Sequence, residues 1–216
     1  MGPLTGGKPD CLVVLCHGMH ADVGQLSQLV EVWRRALPTA VFASPHAPWA
    51  RRRLGLFRRK RREWFNTRDK SPAAYEAGVR TAAGLLDSFI DGELERLGLD
   101  PGAYALVGYS QGAMTVLFTG LRRGVPPRGI VAIAGSLIAP DRLSDEIANR
   151  APVLLMHGME DRIVPAHLSQ SAAQILSEAG VIVETLYQPG LAHDLDDVEI
   201  KEGAIFLTRI FSNHKG

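Results

Sequence analysis

Ser110, Asp161 and His193 carry the side chains that nucleophilic catalysis of acyl transfer requires. A serine hydroxyl is a weak nucleophile, and it needs a histidine base within hydrogen-bond reach that is itself oriented by a carboxylate. The order serine, aspartate, histidine along the chain is one that known hydrolases use. Glu160 and Asp194 are the alternative carboxylates nearby. These residue types predict a serine hydrolase that works through an acyl-enzyme.

The candidate nucleophile lies in the string GYSQG, residues 108–112. An apolar run of strand type precedes it, and a helical pattern starts directly after it. Glycines on both sides of Ser110 allow a sharp turn and keep neighbouring side chains away from the hydroxyl. The string therefore predicts a strand, a tight turn that exposes the serine, and a helix.

Acyl transfer also needs donors for the oxyanion that develops on the substrate. The residue after the nucleophile, Gln111, offers a backbone N–H at a helix N-terminus, where the helix dipole favours negative charge. We expect the second donor in the loop HGMHADVG, residues 17–24, with the N–H of Met19 directed into the site.

The elements that must position these residues are short apolar strands. Six such runs are separated by helical patterns, and most are bounded by glycine or proline. The runs cover residues 11–16, 40–44, 104–109, 129–135, 152–157 and 181–187. Most lack alternation, as expected for a parallel sheet covered on both faces, whereas the mixed run at 181–187 suits an edge. Loops at the carboxyl ends of parallel strands meet in one crevice, so the three candidate residues can meet there.

Helical patterns cover residues 22–37, 71–97, 111–123, 165–179 and 196–212. In the second, Ser71 and Pro72 are typical of a helix start, and Gly98 is typical of an end. The three glycines within it weaken the prediction of one continuous helix. Alternating strands and helices predict a three-layer α/β sandwich with a mainly parallel sheet of about six to seven strands, formed as one domain over residues 1–216.

The remaining histidines are expected to serve structural purposes. We expect His17 to shape the oxyanion loop, and His46 and His157, beside strand ends, to be hydrogen-bonded within the protein. Three more are expected to face solvent: His20, His167 and His214. No cluster has metal-ligand spacing and no glycine-rich phosphate loop is present, so neither a metal nor a cofactor is expected.

Composition limits the class of protein. The chain has 216 residues, 46% hydrophobic and 22% charged, which excludes a disordered or fibrous protein. No apolar stretch reaches the roughly 20 residues that span a bilayer, and no signal peptide is recognisable. Cys11 and Cys16 cannot form a disulfide framework. These features favour a cytoplasmic protein.

Residues 51–62, RRRLGLFRRKRR, depart from this average. They hold eight of the 24 basic residues and no acidic one, which leaves 16 basic against 23 acidic residues elsewhere. Three interpretations stay open: a solvated loop, contact with an anionic membrane through Arg51 to Arg62 with the apolar residues inserted, or recognition of an anionic substrate at the rim of the site. No nucleic-acid partner is expected, because no binding module accompanies the charge.

Several motifs in a fixed order also carry a family resemblance: LCHGMHADVG, SPHAP, EWF, GYSQG, GMEDRIVP and GLAHD. Together they resemble the small serine carboxylesterases of the phospholipase/carboxylesterase family of α/β-hydrolases, which includes acyl-protein thioesterases and lysophospholipases. The resemblance implies a hydrolase without a large cap domain that uses Ser110, Asp161 and His193, with Met19 and Gln111 as oxyanion donors. It also implies contacts to the acyl group from four residues: Leu56, Trp64, Phe65 and Leu137.

The chain departs from the family at HGMHAD, where relatives commonly read HGLGD, at Ala113, where they more often have glycine, and in the polybasic segment. We expect a carboxylesterase for short to medium acyl chains, with a small-molecule ester or thioester as substrate. The alternatives are an acyl-protein thioesterase or lysophospholipase, and a non-catalytic protein that binds anionic lipid on a hydrolase scaffold. The sequence leaves the oligomeric state open.

Overall fold

The computed structural model describes residues 1–51 and 61–212, and its centre is a parallel sheet. Six strands form this sheet among the described residues: β1 Cys11–Cys16, β2 Ala40–Ala43, β5 Tyr104–Tyr109, β6 Ile130–Ile133, β7 Val153–Gly158 and β8 Val183–Gln188. Their order across the sheet is β2-β1-β5-β6-β7-β8. The predicted α/β fold with a mainly parallel sheet is confirmed, and the mixed strand β8 lies at an edge as expected.

Helices cover both faces of the sheet. They are α1 Ser27–Ala36, α2 Pro72–Leu97, α3 Gln111–Gly120, α4 Leu143–Glu146, α5 Ala166–Glu178 and α6 Asp197–Ser212. Helix α1 follows a 3-10 turn at Val23–Leu26. The pattern at 71–97 forms one continuous helix despite its glycines. No helix in the described part of the chain is long and apolar enough to cross a membrane.

Alternation along β1 shows how the core divides between the two faces. Leu12, Val14 and Cys16 pack in one cluster with α2, α3 and α5, whereas Val13 and Leu15 pack in the other with α1 and α6. All five are at most 1% exposed. Because both faces of each central strand are buried, its sequence reads as an unbroken apolar run.

The carboxyl ends of the strands form one edge of the sheet, and this edge carries the candidate residues. Met19 follows β1, Ser110 follows β5, Asp161 follows β7 and His193 follows β8. The direction in which successive strands are added reverses between β1 and β5. On one side β2 lies next to β1, and on the other side β6 lies next to β5. Such a switch point leaves a crevice where ligands bind in open α/β sheets.

A two-stranded antiparallel hairpin stands beside this edge and was not predicted from the sequence. It consists of β3 Trp49–Arg51 and β4 Arg61–Glu63, with Trp49 opposite Glu63. An isolated bridge between Ala21 and Arg62 joins the hairpin to the loop after β1. The run of arginines masked the strand pattern, because β propensity and alternation were both weak there. Most of the polybasic segment, residues 52–60, lies outside the described residues.

Candidate active site

Ser110 occupies a strained turn between β5 and α3. Its backbone has φ 55° and ψ −117°, a conformation that a residue with a Cβ rarely adopts. The turn is held because the Ser110 N–H donates to the Ile133 carbonyl at 2.8 Å. A Cβ at Gly108 would lie 2.4 Å from the Gly112 carbonyl oxygen, and one at Gly112 would lie 2.0 Å from the Cys16 carbonyl oxygen. Both flanking glycines are therefore required by close backbone contact.

The structure brings the three predicted side chains together. His193 Nε2 lies 3.0 Å from Ser110 Oγ, and His193 Nδ1 lies 2.6 Å from Asp161 Oδ2. Ser110 is 8% exposed and Asp161 is 6% exposed, so the polar chain is largely shielded from water. With Nδ1–H donating to the carboxylate, Nε2 is free to accept the serine proton. This arrangement is able to generate a serine nucleophile.

Asp161 is the carboxylate that contacts His193, whereas the alternatives Glu160 and Asp194 are exposed. Its other oxygen, Oδ1, accepts from the N–H groups of Ile163 at 2.8 Å and Val164 at 2.9 Å. Burial opposes ionisation, but hydrogen bonds from His193 and from these two amides outweigh it and lower the pKa of Asp161. The carboxylate is therefore fixed in orientation and ionised at neutral pH.

The loop that carries His193 is held against the ends of β5 and β7. The Tyr109 hydroxyl donates to the His193 carbonyl at 2.8 Å, and the two rings lie 5.2 Å apart between centroids. Burial raises the pKa of Tyr109, so its hydroxyl stays a donor. A Cβ at Gly158 would lie 2.3 Å from the Leu191 carbonyl oxygen, which shows how closely the loop approaches β7. Sequence reasoning missed Tyr109, since its position before the serine gives no sign of contact with residue 193.

The two backbone amides expected to bind an oxyanion have no acceptor among the described residues. Neither the Met19 N–H nor the Gln111 N–H donates a hydrogen bond to a described residue, whereas neighbouring amides such as that of Gly18 do. Gly18 N–H donates to Gln25 Oε1 at 2.7 Å, and the Met19 thioether accepts from the Thr67 hydroxyl at 3.3 Å. Gln111 directly follows Ser110 in the chain, and Met19 lies in the loop after β1.

His17 is locked beneath the loop of Met19 and contacts no candidate catalytic atom. The Ala47 N–H donates to Nε2 at 3.1 Å, so Nδ1 carries the hydrogen and donates to the Gly18 carbonyl at 2.8 Å. Burial lowers the pKa of His17, which agrees with a neutral ring. These two hydrogen bonds therefore support the prediction that His17 shapes this loop.

Trp64 and Phe65 lie under the site and are buried, with 1% and 0% exposure. Trp64 N–H donates to Gln111 Oε1 at 2.7 Å, and Gln111 Nε2 donates to the Phe65 carbonyl at 2.7 Å. The Trp64 indole N–H also donates to the His17 carbonyl at 2.8 Å. These two side chains offer no open surface to an acyl group, because they fill the space between the loop after β1 and α2.

The other two predicted substrate contacts differ in position. Leu137 is partly buried in the loop after β6 and packs against the cluster that includes α3. Gly135 in the same loop approaches the serine turn, since a Cβ there would lie 3.3 Å from the Ser110 carbonyl oxygen. Leu137 therefore lies in a loop of which another residue, Gly135, comes close to the serine turn. Leu56 lies outside the described residues.

Within residues 1–51 and 61–212 no group of three or more histidine, cysteine or acidic residues is arranged to hold a metal ion. A cavity of about 490 Å³ lies at the opposite edge of the sheet, before β6 and β7, with Pro126, Arg128, Arg150 and Ile210 in its lining. That cavity is remote from Ser110 and has no part in the site.

This chain is similar to known esterases and thioesterases over nearly its whole length. A profile described as Phospholipase/Carboxylesterase matches residues 5–210. The crystal structure of esterase PE8 has a TM-score of 0.88 and 33% identity, and the match covers 97% of this chain and 96% of that one. Acyl-protein thioesterase 1 of Aspergillus fumigatus is 28% identical over 94% of this chain and 89% of its own length. Carboxylesterase SOBER1 of Arabidopsis thaliana is 32% identical over 58% of this chain and 56% of its own.

Proposed function

The chain belongs to the phospholipase/carboxylesterase family of α/β-hydrolases, and from this premise we propose that it is a carboxylesterase with the catalytic residues Ser110, His193 and Asp161. Esterases and thioesterases of this family act on small-molecule or acylated substrates. The substrate proposed here is a carboxylic ester with a short to medium acyl chain.

The first half of the reaction forms an acyl-enzyme. Ser110 Oγ attacks the acyl carbon while His193 Nε2 takes its proton, and Asp161 stabilises the imidazolium that results. The N–H groups of Met19 and Gln111 receive the negative charge that develops on the carbonyl oxygen. The tetrahedral intermediate then collapses, and the leaving alcohol takes the proton from His193.

The second half releases the acid. Water replaces the alcohol, His193 takes one of its protons, and the hydroxide formed attacks the acyl carbon bound to Ser110. Collapse of the second tetrahedral intermediate breaks the bond to Ser110 Oγ, which regains its proton from His193. The enzyme returns to its starting state without a cofactor.

The single observation that carries this proposal is the contact chain from Ser110 Oγ through His193 to Asp161, with steps of 3.0 and 2.6 Å. Replacing Ser110→Ala removes the nucleophile, and we expect kcat on p-nitrophenyl esters to fall by roughly 10⁶-fold, the size found in other serine triads. The measurement is ester hydrolysis by purified wild type and variant, with circular dichroism to confirm folding.

Labelling with a fluorophosphonate probe separates the enzyme from a non-catalytic lipid-binding protein on the same scaffold. We expect one label per wild-type chain, on Ser110, and none on S110A. A folded S110A variant with normal turnover, or a wild-type protein that takes no label, would contradict the proposal.

A thioester is the second candidate substrate, because the acyl-protein thioesterase of Aspergillus fumigatus is similar to this chain over 94% of the chain. A panel of p-nitrophenyl esters with two to sixteen carbons, compared with acyl thioesters of the same lengths, distinguishes the candidates by kcat/KM. We expect the optimum at short to medium chains, since Trp64 and Phe65 are buried and offer no open apolar surface in the described part of the chain. A maximum at sixteen-carbon thioesters would favour the acyl-protein thioesterase.

Contact of residues 51–62 with an anionic membrane also remains a proposal, and it rests on their charge in the sequence. Trp49, at the base of the hairpin, is 50% exposed and is able to insert at an interface. We expect the protein to float with vesicles that contain anionic lipid at low salt and to be released at high salt. Equal partitioning onto neutral and anionic vesicles would contradict this contact.

A further inference from the structure

A second histidine contacts the same carboxylate as the proposed base. His157, in β7, is 0% exposed, and its Nε2 lies 3.1 Å from Asp161 Oδ2 and 2.8 Å from the Val164 carbonyl oxygen. His193 Nδ1 contacts the same oxygen, Oδ2, at 2.6 Å. The acceptor of the proposed base is therefore shared between two imidazoles.

The contacts of His157 fix its tautomer. Two oxygen acceptors face Nε2, and a lone pair at that nitrogen would face both of them unfavourably, so Nε2 carries the hydrogen. The other nitrogen, Nδ1, is buried and has no partner in the described part of the chain. The single hydrogen on His157 Nε2 is therefore shared between the Val164 carbonyl oxygen and Asp161 Oδ2.

We propose that His157 is a positioning residue for the ester hydrolysis, one that holds Asp161 and sets how strongly it supports His193. This inference rests on the proposed function. Asp161 Oδ1 is already fixed by the amides of Ile163 and Val164, and the donation from His157 restrains Oδ2 on the other side. With both oxygens restrained, the carboxylate plane cannot rotate away from the His193 ring.

Donation from His157 also changes the basicity of the carboxylate. Each hydrogen bond that Oδ2 accepts withdraws negative charge from the oxygen, and so weakens its attraction for the imidazolium of His193. Loss of the His157 donor therefore strengthens the attraction of Asp161 for this imidazolium. The acid limb of the pH–rate profile is then expected to move to higher pH.

Several ionisable groups in the described part of the chain surround this pair. Tyr187 lies opposite His157 in the register between β7 and β8, and Tyr109 approaches from β5 through the His193 carbonyl. Asp194 follows His193 and is exposed, and its Oδ1 accepts from the Leu195 N–H. The tyrosines stay neutral through the range of the experiment, because burial raises the pKa of each.

The test compares two substitutions of similar size. His157→Leu removes the donor and keeps an apolar side chain, whereas His157→Gln carries an N–H group at nearly the position of Nε2. We expect H157L to lose 10- to 100-fold in kcat with little change in KM, since small misplacements at a catalytic group have effects of this order. The acid limb of its kcat/KM profile should move to higher pH by about half a pH unit or more. H157Q should keep the wild-type limb and lose less than about threefold in kcat.

Parallel changes in H157L and H157Q without movement of the acid limb would show a packing role only and would overturn the inference, as would wild-type kinetics in H157L. If H157L does not fold, His157→Asn replaces it, because the shorter amide cannot reach Asp161 and should behave as H157L was expected to. Wild-type hydrolysis and fluorophosphonate labelling of Ser110 are measured in the same preparation. Absence of wild-type hydrolysis or of labelling would contradict the proposed function, whereas the results for the His157 variants test only this inference.

Discussion

At the scale of single residues, Ser110 is the proposed nucleophile and also has an unfavourable backbone conformation. A φ of 55° costs a residue with a Cβ about 1 to 3 kcal/mol, and surrounding contacts must over-determine it. The Ser110 N–H to Ile133 hydrogen bond and the close approach of Gly112 to Cys16 supply those contacts. The hydroxyl is thereby lifted out of the chain toward His193.

This strain gives a prediction that is independent of activity. Ser110→Gly and Ser110→Ala both lack the hydroxyl, but only glycine adopts this conformation without steric cost. Part of that gain is lost to the greater freedom of glycine in the unfolded chain, so we expect S110G to be more stable than S110A by about 1 kcal/mol. Urea unfolding of both variants measures the difference. Equal or reversed stabilities would show that the turn is not strained.

At the scale of elements, helix α2 shows why the glycines in its pattern did not interrupt it. Ser71 Oγ accepts from the Ala74 N–H at 3.3 Å to cap the start, and Gly98, with φ 62°, ends the helix. Between them a buried stripe that includes Val79, Leu86 and Ile90 packs against the sheet. Burial of this stripe outweighs the propensity cost of the glycines.

The three glycines of α2 differ in what a side chain would meet. Nothing lies within 4 Å of a Cβ at Gly84, whereas a Cβ at Gly78 would lie 2.6 Å from the Phe65 Cβ. We expect Gly84→Ala to raise the free energy of unfolding by about 0.5 to 1 kcal/mol, because alanine loses less entropy in a helix.

The matched control is Gly78→Ala, which gains the same helix propensity but pushes Phe65 away from the helix. We expect this variant to be less stable than wild type by about 1 to 3 kcal/mol, the range for overpacked cores. Thermal or urea unfolding of both variants provides the comparison. A stabilised G78A would contradict the close contact between α2 and Phe65.

At the scale of the whole molecule, a buried carboxyl links stability to pH. Glu199 is 0% exposed in the first turn of α6, where Asp196 Oδ1 accepts from its N–H at 2.8 Å. Burial, together with the Asp196 charge, raises the pKa of Glu199 to about 7. A raised pKa means that the folded protein holds the proton more tightly than the unfolded chain does. The resulting stability is complete below the unfolded pKa near 4.5 and is lost as pH rises through about 7.

Replacing Glu199→Gln removes this titration while it keeps the side-chain shape. We expect the stability of wild type relative to E199Q to fall by roughly 2 to 3 kcal/mol between pH 5 and pH 8, as the carboxyl ionises in its buried place. Urea unfolding of both proteins at several pH values gives this difference, in which the titration of other groups cancels. Parallel stability curves would show that Glu199 does not ionise in this range.

Much of this molecule was predictable because its signals are local or follow from chain order. Apolar runs bounded by glycine indicate buried strands, and the spacing of Gly108, Ser110 and Gly112 indicates a strand–turn–helix. A parallel sheet then brings the loops after its strands to one edge, which is why Asp161 and His193 were predicted to meet Ser110 there. The paired strands Trp49–Arg51 and Arg61–Glu63 gave no such signal, since the arginines in this part of the sequence hide the alternation.

The sequence by itself therefore determined the sheet, the turn at Ser110 and the order of the candidate residues. Only the tertiary structure decided that Trp64 and Phe65 are buried under the loop after β1, that Tyr109 holds the His193 loop, and that His157 and His193 contact the same oxygen of Asp161. The physical reason is that these depend on which side chains meet across separate elements at hydrogen-bond distance. Periodicity and spacing specify which face of an element is buried, but they carry no information about the partner that a buried polar atom finds there.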